Sequence, residues 1–191
     1  MQAFDSLSRD IQQYIYDKGW PSLTHIQNAA IKQVANTDHN LILSAPTASG
    51  KTEAAFIPAL NSVEDWETGL KVLYISPLKA LINDQFHRIS ELSEYLDIPI
   101  TRWHGEVSQA QKKKVVNQPK GVLLITPESI EGMLVNRPGE AEHLFKGVEW
   151  IIIDELHSFL GTERGIHLQS LLQRISRFMQ APRFIAMSAT L

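Results

Sequence analysis

The chain has no cysteine, which excludes disulfides and thiolate metal sites. Its seven histidines, at positions 25, 39, 87, 104, 143, 157 and 167, show no close ligand spacing such as His-Glu-x-x-His, so no structural metal is expected. Long apolar runs are missing too. A membrane span needs roughly 18 consecutive apolar residues, and the runs here, such as Ile151-Ile-Ile153, are strand-length. The amino terminus, Met1-Gln-Ala-Phe-Asp-Ser, lacks the basic and apolar regions of a secretory leader. A cytoplasmic protein with no membrane partner is expected. There is no basic excess either: the net charge of -3 argues against coating nucleic acid by bulk basicity, so any such contact must be local. Lys112-Lys113-Lys114 with Lys120 is the one dense basic cluster, and a run of this size is ordinarily a solvated helix face.

What is present suits one domain with its own core, at 191 residues and 43% apolar content. Short β-rich runs alternate with helix-period segments. The runs are 40–45, 71–76, 121–125, 148–154 and 183–187, with a sixth short strand at 99–103. They lack the polar alternation of a one-sided sheet and so read as parallel strands buried on both faces. Helices are expected at 51–63, 78–96, 108–116, 127–135 and 167–179. The alternation predicts an α/β fold, a parallel central sheet flanked by helices on both faces, with its ligand site at the carboxyl ends of the strands.

Directly after the first strand comes Ala45-Pro-Thr-Ala-Ser-Gly-Lys-Thr52, a phosphate-loop pattern with Ala in place of the first glycine. Small residues at Thr47, Ala48, Ser49 and Gly50 let backbone N–H groups turn inward on a phosphate at a helix N-terminus. Lys51 would reach the outer phosphates, and Thr52 would hold Mg2+. The fourth long strand ends in Asp154-Glu155-Leu156-His157, which puts two carboxylates at the same edge if the strands are parallel. Asp154 then becomes the second magnesium ligand and Glu155 the residue that polarises the attacking water. Two more strand ends share one device, Ser76-Pro77-Leu78-Lys79 and Thr126-Pro127-Glu128. Each is read as a hydroxyl cap followed by proline in the first helical turn. Alone this is a common way to start a helix; two along one rim form a rail for successive phosphates of a strand.

With these residues in place, the chain resembles the first RecA-like domain of superfamily 2 helicases. Gly19-Trp-Pro-Ser-Leu-Thr-His-Ile-Gln27 with Phe4 upstream is similar to the Q motif, which implies that Thr24, Gln27 and Phe4 serve the adenine site, with Trp20 competing for the aromatic role. Residues 45–52 match motif I, 76–85 motif Ia, 126–128 motif Ib, 154–157 motif II and 188–190 motif III. The resemblance makes Lys51, Asp154 and Glu155 catalytic and His157, Ser188 and Thr190 coupling residues. Gly105 sits where the family has a strand contact. Asp-Glu-Leu-His favours the DExH side, and Gly161-Thr-Glu-Arg-Gly-Ile-His-Leu168 is similar to the large helicase-related (Lhr-like) group. That implies a monomeric motor on single-stranded nucleic acid gripped by its backbone, with DNA favoured over RNA. A non-motor ATP-dependent switch and an RNA helicase of a related branch are the alternatives.

The family's second RecA-like domain, with motifs IV to VI and the arginine finger, is absent from residues 1–191. The expected organisation is one ATP-binding domain over 1–191, with 1–36 as its Q-motif helices and the second domain of the parent protein as its partner. An arginine finger is worth about 10³ to 10⁵ in rate, so this chain alone is expected to bind ATP weakly and hydrolyse it negligibly.

Overall fold

The computed structural model describes residues 2–46 and 48–190. Six strands, β1 (Leu41–Ser44), β2 (Gly69–Ile75), β3 (Ile100–Trp103), β4 (Lys120–Ile125), β5 (Trp150–Ile153) and β6 (Arg183–Ser188), form one sheet in the order β1-β6-β5-β2-β4-β3. Every pairing is parallel, so all carboxyl ends share one edge. The helices are α1 (Arg9–Asp17), α2 (His25–Asn36), α3 (Lys51–Ser62), α4 (Lys79–Tyr95), α5 (Gln109–Asn117), α6 (Pro127–Asn136), α7 (Pro138–Phe145) and α8 (Glu163–Ile175). Among the described residues no helix is long and apolar enough to cross a membrane.

The alternation of strand side chains explains the continuous apolar runs. Val72, Tyr74, Val122, Leu124 and Ile152 point to one core, shared with Ile31, Phe56, Ile57 and Ile82 of α2, α3 and α4. Leu73, Ile75, Leu123, Ile151 and Ile153 point to the other, with Ile130, Leu144, Phe145 and Leu171 of α6, α7 and α8. A strand buried on both faces has no polar side to show. Fully burying each such side chain stabilises by about 1.5–3 kcal/mol, and both cores depend on the central strands. Arg183 ties the helical layer to the sheet: its guanidinium lies 4.4 Å from the Trp150 ring centre and donates to the carbonyls of Val34, Thr37 and His39.

Two elements differ from the sequence expectation. Helix α7 follows α6 with only Arg137 between them, a break that Pro138 imposes because the residue before proline avoids helical geometry. Helix α8 starts at Glu163, four residues before the expected His167, with Thr162 accepting from the Gly165 amide at 3.2 Å. Gly161 and Gly165 both serve this start, and the first takes φ 70° just before the cap. The second lies in the first turn, where a Cβ would come within 2.0 Å of the Phe159 carbonyl oxygen. Both glycines are therefore needed to start the helix rather than to delay it.

Candidate functional site

At the carboxyl end of β1 the strand gives way to a loop, and Gly50 is the N-cap of α3. Ala48 (φ 62°) and Gly50 (φ 83°) are both left-handed, the alternation that points successive amides into one concavity. At Gly50 a Cβ would lie 2.6 Å from the Gln27 side-chain nitrogen, the movable end of that side chain, so it is the left-handed backbone that favours glycine. The Lys51 ammonium folds back on its own loop, donating to the Ala45 carbonyl and, at 2.8 Å, to that of Pro46. Thr52 is buried and its hydroxyl donates to Gln85 Oε1 at 3.2 Å. The Ser49 hydroxyl is buried with no partner among the described residues. Thr47 lies outside the described residues.

Beside this loop, Asp154 follows β5 and is buried. Its carboxylate accepts from the Tyr74 hydroxyl and from the Glu155 amide at 2.9 Å. Burial holds its pKa above the ordinary carboxylate range, opposed by the hydrogen bond from Tyr74. Burial, with the charge of Asp154, pushes the Tyr74 phenol well above its usual range, which keeps it a donor. Glu155 is left-handed at φ 48°, a conformation that is uncommon outside glycine and concentrated at functional sites. Its carboxylate lies 3.3 Å from His157 Nδ1, which in turn lies 3.2 Å from the Ser188 hydroxyl; that hydroxyl donates to the Thr190 carbonyl. The acidic pair and Ser188-Ala-Thr190 are thus one connected network.

Thr24 and Gln27 form a capping box at the start of α2: the Thr24 amide donates to Gln27 Oε1 at 2.9 Å, and the Thr24 hydroxyl accepts from the Gln27 amide at 3.4 Å. The other end of the Gln27 side chain donates to the Gly50 carbonyl at 3.4 Å. Both residues border a pocket of about 560 Å³ with Trp20, Ser49, Gly50 and Arg88. Trp20 lines this pocket and Phe4 does not. Phe4 is half-buried against the helical core, and its carbonyl accepts from Gln12 at 3.0 Å.

Further along the edge, Pro77, Leu78, Lys79, His104, Gly105, Thr126, Glu128 and Arg164 surround a cavity of about 340 Å³. The two hydroxyl-proline devices are not alike. Thr126 caps α6, accepting from the Ser129 amide at 3.3 Å, with Pro127 in the first turn. Ser76 caps nothing, which corrects the expectation: α4 begins at Lys79 after an extended Leu78, and the Ser76 hydroxyl is buried without a partner among the described residues. Proline disfavours helical geometry at the residue before it, and the extended Leu78 delays the helix by two more residues.

Four residues of the site carry no individual role in the sequence. Arg164 donates to the Pro77 carbonyl at 2.8 Å and pairs with Glu128 at 2.7 Å, stapling the two rail loops together. Tyr74 is the one polar side chain in an otherwise aliphatic stretch of β2, a signal that the sequence does hold. Gln85 joins α4 to Thr52. Asn83, two residues earlier, holds His104 at 3.3 Å and Arg102 at 2.9 Å. Helix α4 therefore touches the phosphate loop and the rail at once.

Comparison with known proteins bears on this geometry. The family profile described as DEAD/DEAH box helicase matches residues 24–191. The ATP-dependent helicase Lhr-Core of Methanocaldococcus jannaschii is 29% identical, over 100% of this chain and 24% of that protein. The Lhr helicase/uracil glycosylase of Escherichia coli K12 is 34% identical, over 87% of this chain and 12% of that protein. The structure of Mycobacterium smegmatis helicase Lhr bound to ssDNA and AMP-PNP superposes with a TM-score of 0.87 at 28% identity, covering 100% of this chain and 26% of that one. This chain spans about a quarter or less of the length of these relatives. The expected RecA-like fold and the likeness to the Lhr group both hold, and the chain belongs to the DEAD/DEAH box helicase family.

Proposed function

We propose that this chain is the ATP-binding motor domain of a helicase or translocase acting on single-stranded nucleic acid, DNA in preference to RNA. The observation that carries the reading is the shared edge: phosphate loop, acidic pair and rail all lie at the carboxyl ends of the strands, and α4 contacts both ends of the arrangement. The preference for DNA is supported by the 28% identical Mycobacterium smegmatis Lhr structure, whose strand is ssDNA. Residues 1–191 act as one unit, with 1–36 as its amino-terminal helices, working as a monomer in the cytoplasm against a second RecA-like domain.

The residues present fit a magnesium nucleotide. The left-handed Ala48 and Gly50, the Ser49 hydroxyl with no partner among the described residues, and the Lys51 ammonium make a cradle for phosphate. Thr52 and Asp154 would hold the metal, and Trp20, Thr24 and Gln27 border the base pocket. Bound magnesium-ATP supplies the phosphoanhydride whose cleavage drives the motor. Lys51 would exchange the carbonyls of Ala45 and Pro46 for an outer phosphate. Glu155 orients the attacking water, and through His157 and Ser188 it links that water to the strand end carrying Thr190. On the rail, the α6 N-terminus at Thr126 and the loop at Ser76–Lys79 hold the strand by its backbone, independent of sequence.

Calorimetric titration of the 191-residue chain with magnesium-ATP tests the cradle. Binding is expected for the wild-type chain and its loss for Lys51→Ala; equal binding by both would remove Lys51 and the loop from the nucleotide site.

A further inference from the structure

The rail cavity does not end at Gly105. A second basin of about 330 Å³ shares that glycine and runs along α6, where Ser129, Gly132, Met133 and Asn136 form one continuous face at helical spacing. At a rise of about 1.5 Å per residue, α6 carries this groove for about 15 Å beyond the Thr126 cap. Lys112 of α5 and Arg137 after α6 also line it, and no carboxylate does among the described residues. The Lys112 ammonium is held 5.8 Å from the centre of the Trp103 ring, so it belongs to the groove wall rather than to a solvated face. Arg137 has one weak competitor, Glu140 at 3.5 Å across exposed surface. Gly105 and Gly132 leave open space where a Cβ would be, which lets a sugar-phosphate backbone lie close.

We propose that a strand held on the rail continues through Gly105 into this basin, where Lys112 and Arg137 grip the phosphates of its next nucleotides. The inference rests on the strand-binding reading above and extends it past the family motifs. It also gives the basic run on α5 a role: Lys112 faces the strand, while Lys114 borders a different pocket under β3.

The test is fluorescence anisotropy with oligothymidylates lengthened one nucleotide at a time, on the wild-type chain, on Lys112→Gln/Arg137→Gln and on Gly132→Glu. Wild-type affinity should keep rising beyond the shortest length that binds. The double variant should match it at that length, fall about tenfold behind on longer strands, and show a salt slope shallower by about 0.7 for each phosphate it no longer neutralises. Gly132→Glu puts a carboxylate into the floor and should show the same length-dependent weakening; glutamate is the better helix former, so the fold is kept, as a thermal melt checks. Variants that track the wild type at every length overturn the proposal, as does an equal weakening at every length. Binding of oligoglutamate through Lys112 and Arg137 without a length-dependent effect on oligothymidylate also overturns it, in favour of an acidic peptide. If the wild-type chain binds no oligothymidylate, the strand-binding reading itself fails and takes the extension with it.

Discussion

The proposed phosphate cradle draws most of its parts from one stretch of chain, Ala45–Thr52, whereas the proposed rail collects its parts from four: Pro77–Lys79, His104–Gly105, Thr126–Glu128 and Arg164. The cradle is held by backbone conformation, with left-handed Ala48 and Gly50 and a lysine resting on its own loop. The rail is held by side chains, above all the Arg164 contacts to Pro77 and Glu128. A site built from local geometry tolerates change elsewhere in the domain. One assembled across the sheet edge depends on every element that brings its pieces together.

The largest effect expected is on turnover. With the second RecA-like domain supplied, Glu155→Gln should lower the steady-state ATPase rate by about 10²- to 10⁴-fold and leave ATP binding by the chain intact. Loss of binding would instead make Glu155 part of the cradle. Next is Gly165→Ala, which drives a methyl into the Phe159 carbonyl. Overpacking typically costs about 1–3 kcal/mol, and because Gly165 adjoins Arg164 the change should also weaken oligothymidylate binding while sparing ATP. Tyr74→Phe leaves the buried Asp154 carboxylate one donor short, a loss of about 1–3 kcal/mol in chemical denaturation. A variant as stable as wild type would show that the Tyr74 hydrogen bond is dispensable.

The smallest effect concerns pH. Burial, with the charge of Arg102 beside it, holds the His104 pKa below the usual histidine range. The unfolded chain then takes up a proton that the folded one refuses. Stability should fall as pH drops below about 6.5 and level off beneath the folded pKa. Denaturation at several pH values should show that slope, and His104→Gln should flatten it.

The same contrast explains what can be read from sequence. All six strands and the start of α3 at Lys51 are legible, because a strand followed by Gly50-Lys51-Thr52 encodes its geometry within a few residues. The rail is legible only as separate pieces. Arg164 lies 87 residues from Pro77 in sequence, and nothing in a Thr-Glu-Arg-Gly stretch says which loops it will staple. Ser76 and Thr126 look equivalent because both precede proline, but Leu78 is extended and takes the start of α4 away from Ser76. Gln27 reads as an adenine ligand by resemblance, although Thr24-His-Ile-Gln27 is also a capping-box signature.

Whether this edge is a motor or only a nucleotide switch is decided most directly by titrating the 191-residue chain with labelled oligothymidylate across a salt series. The account predicts binding whose logarithm falls linearly with the logarithm of salt concentration, by about 0.7 per neutralised phosphate. A chain that binds magnesium-ATP yet shows no oligothymidylate affinity at low salt, or an affinity indifferent to salt, would contradict it.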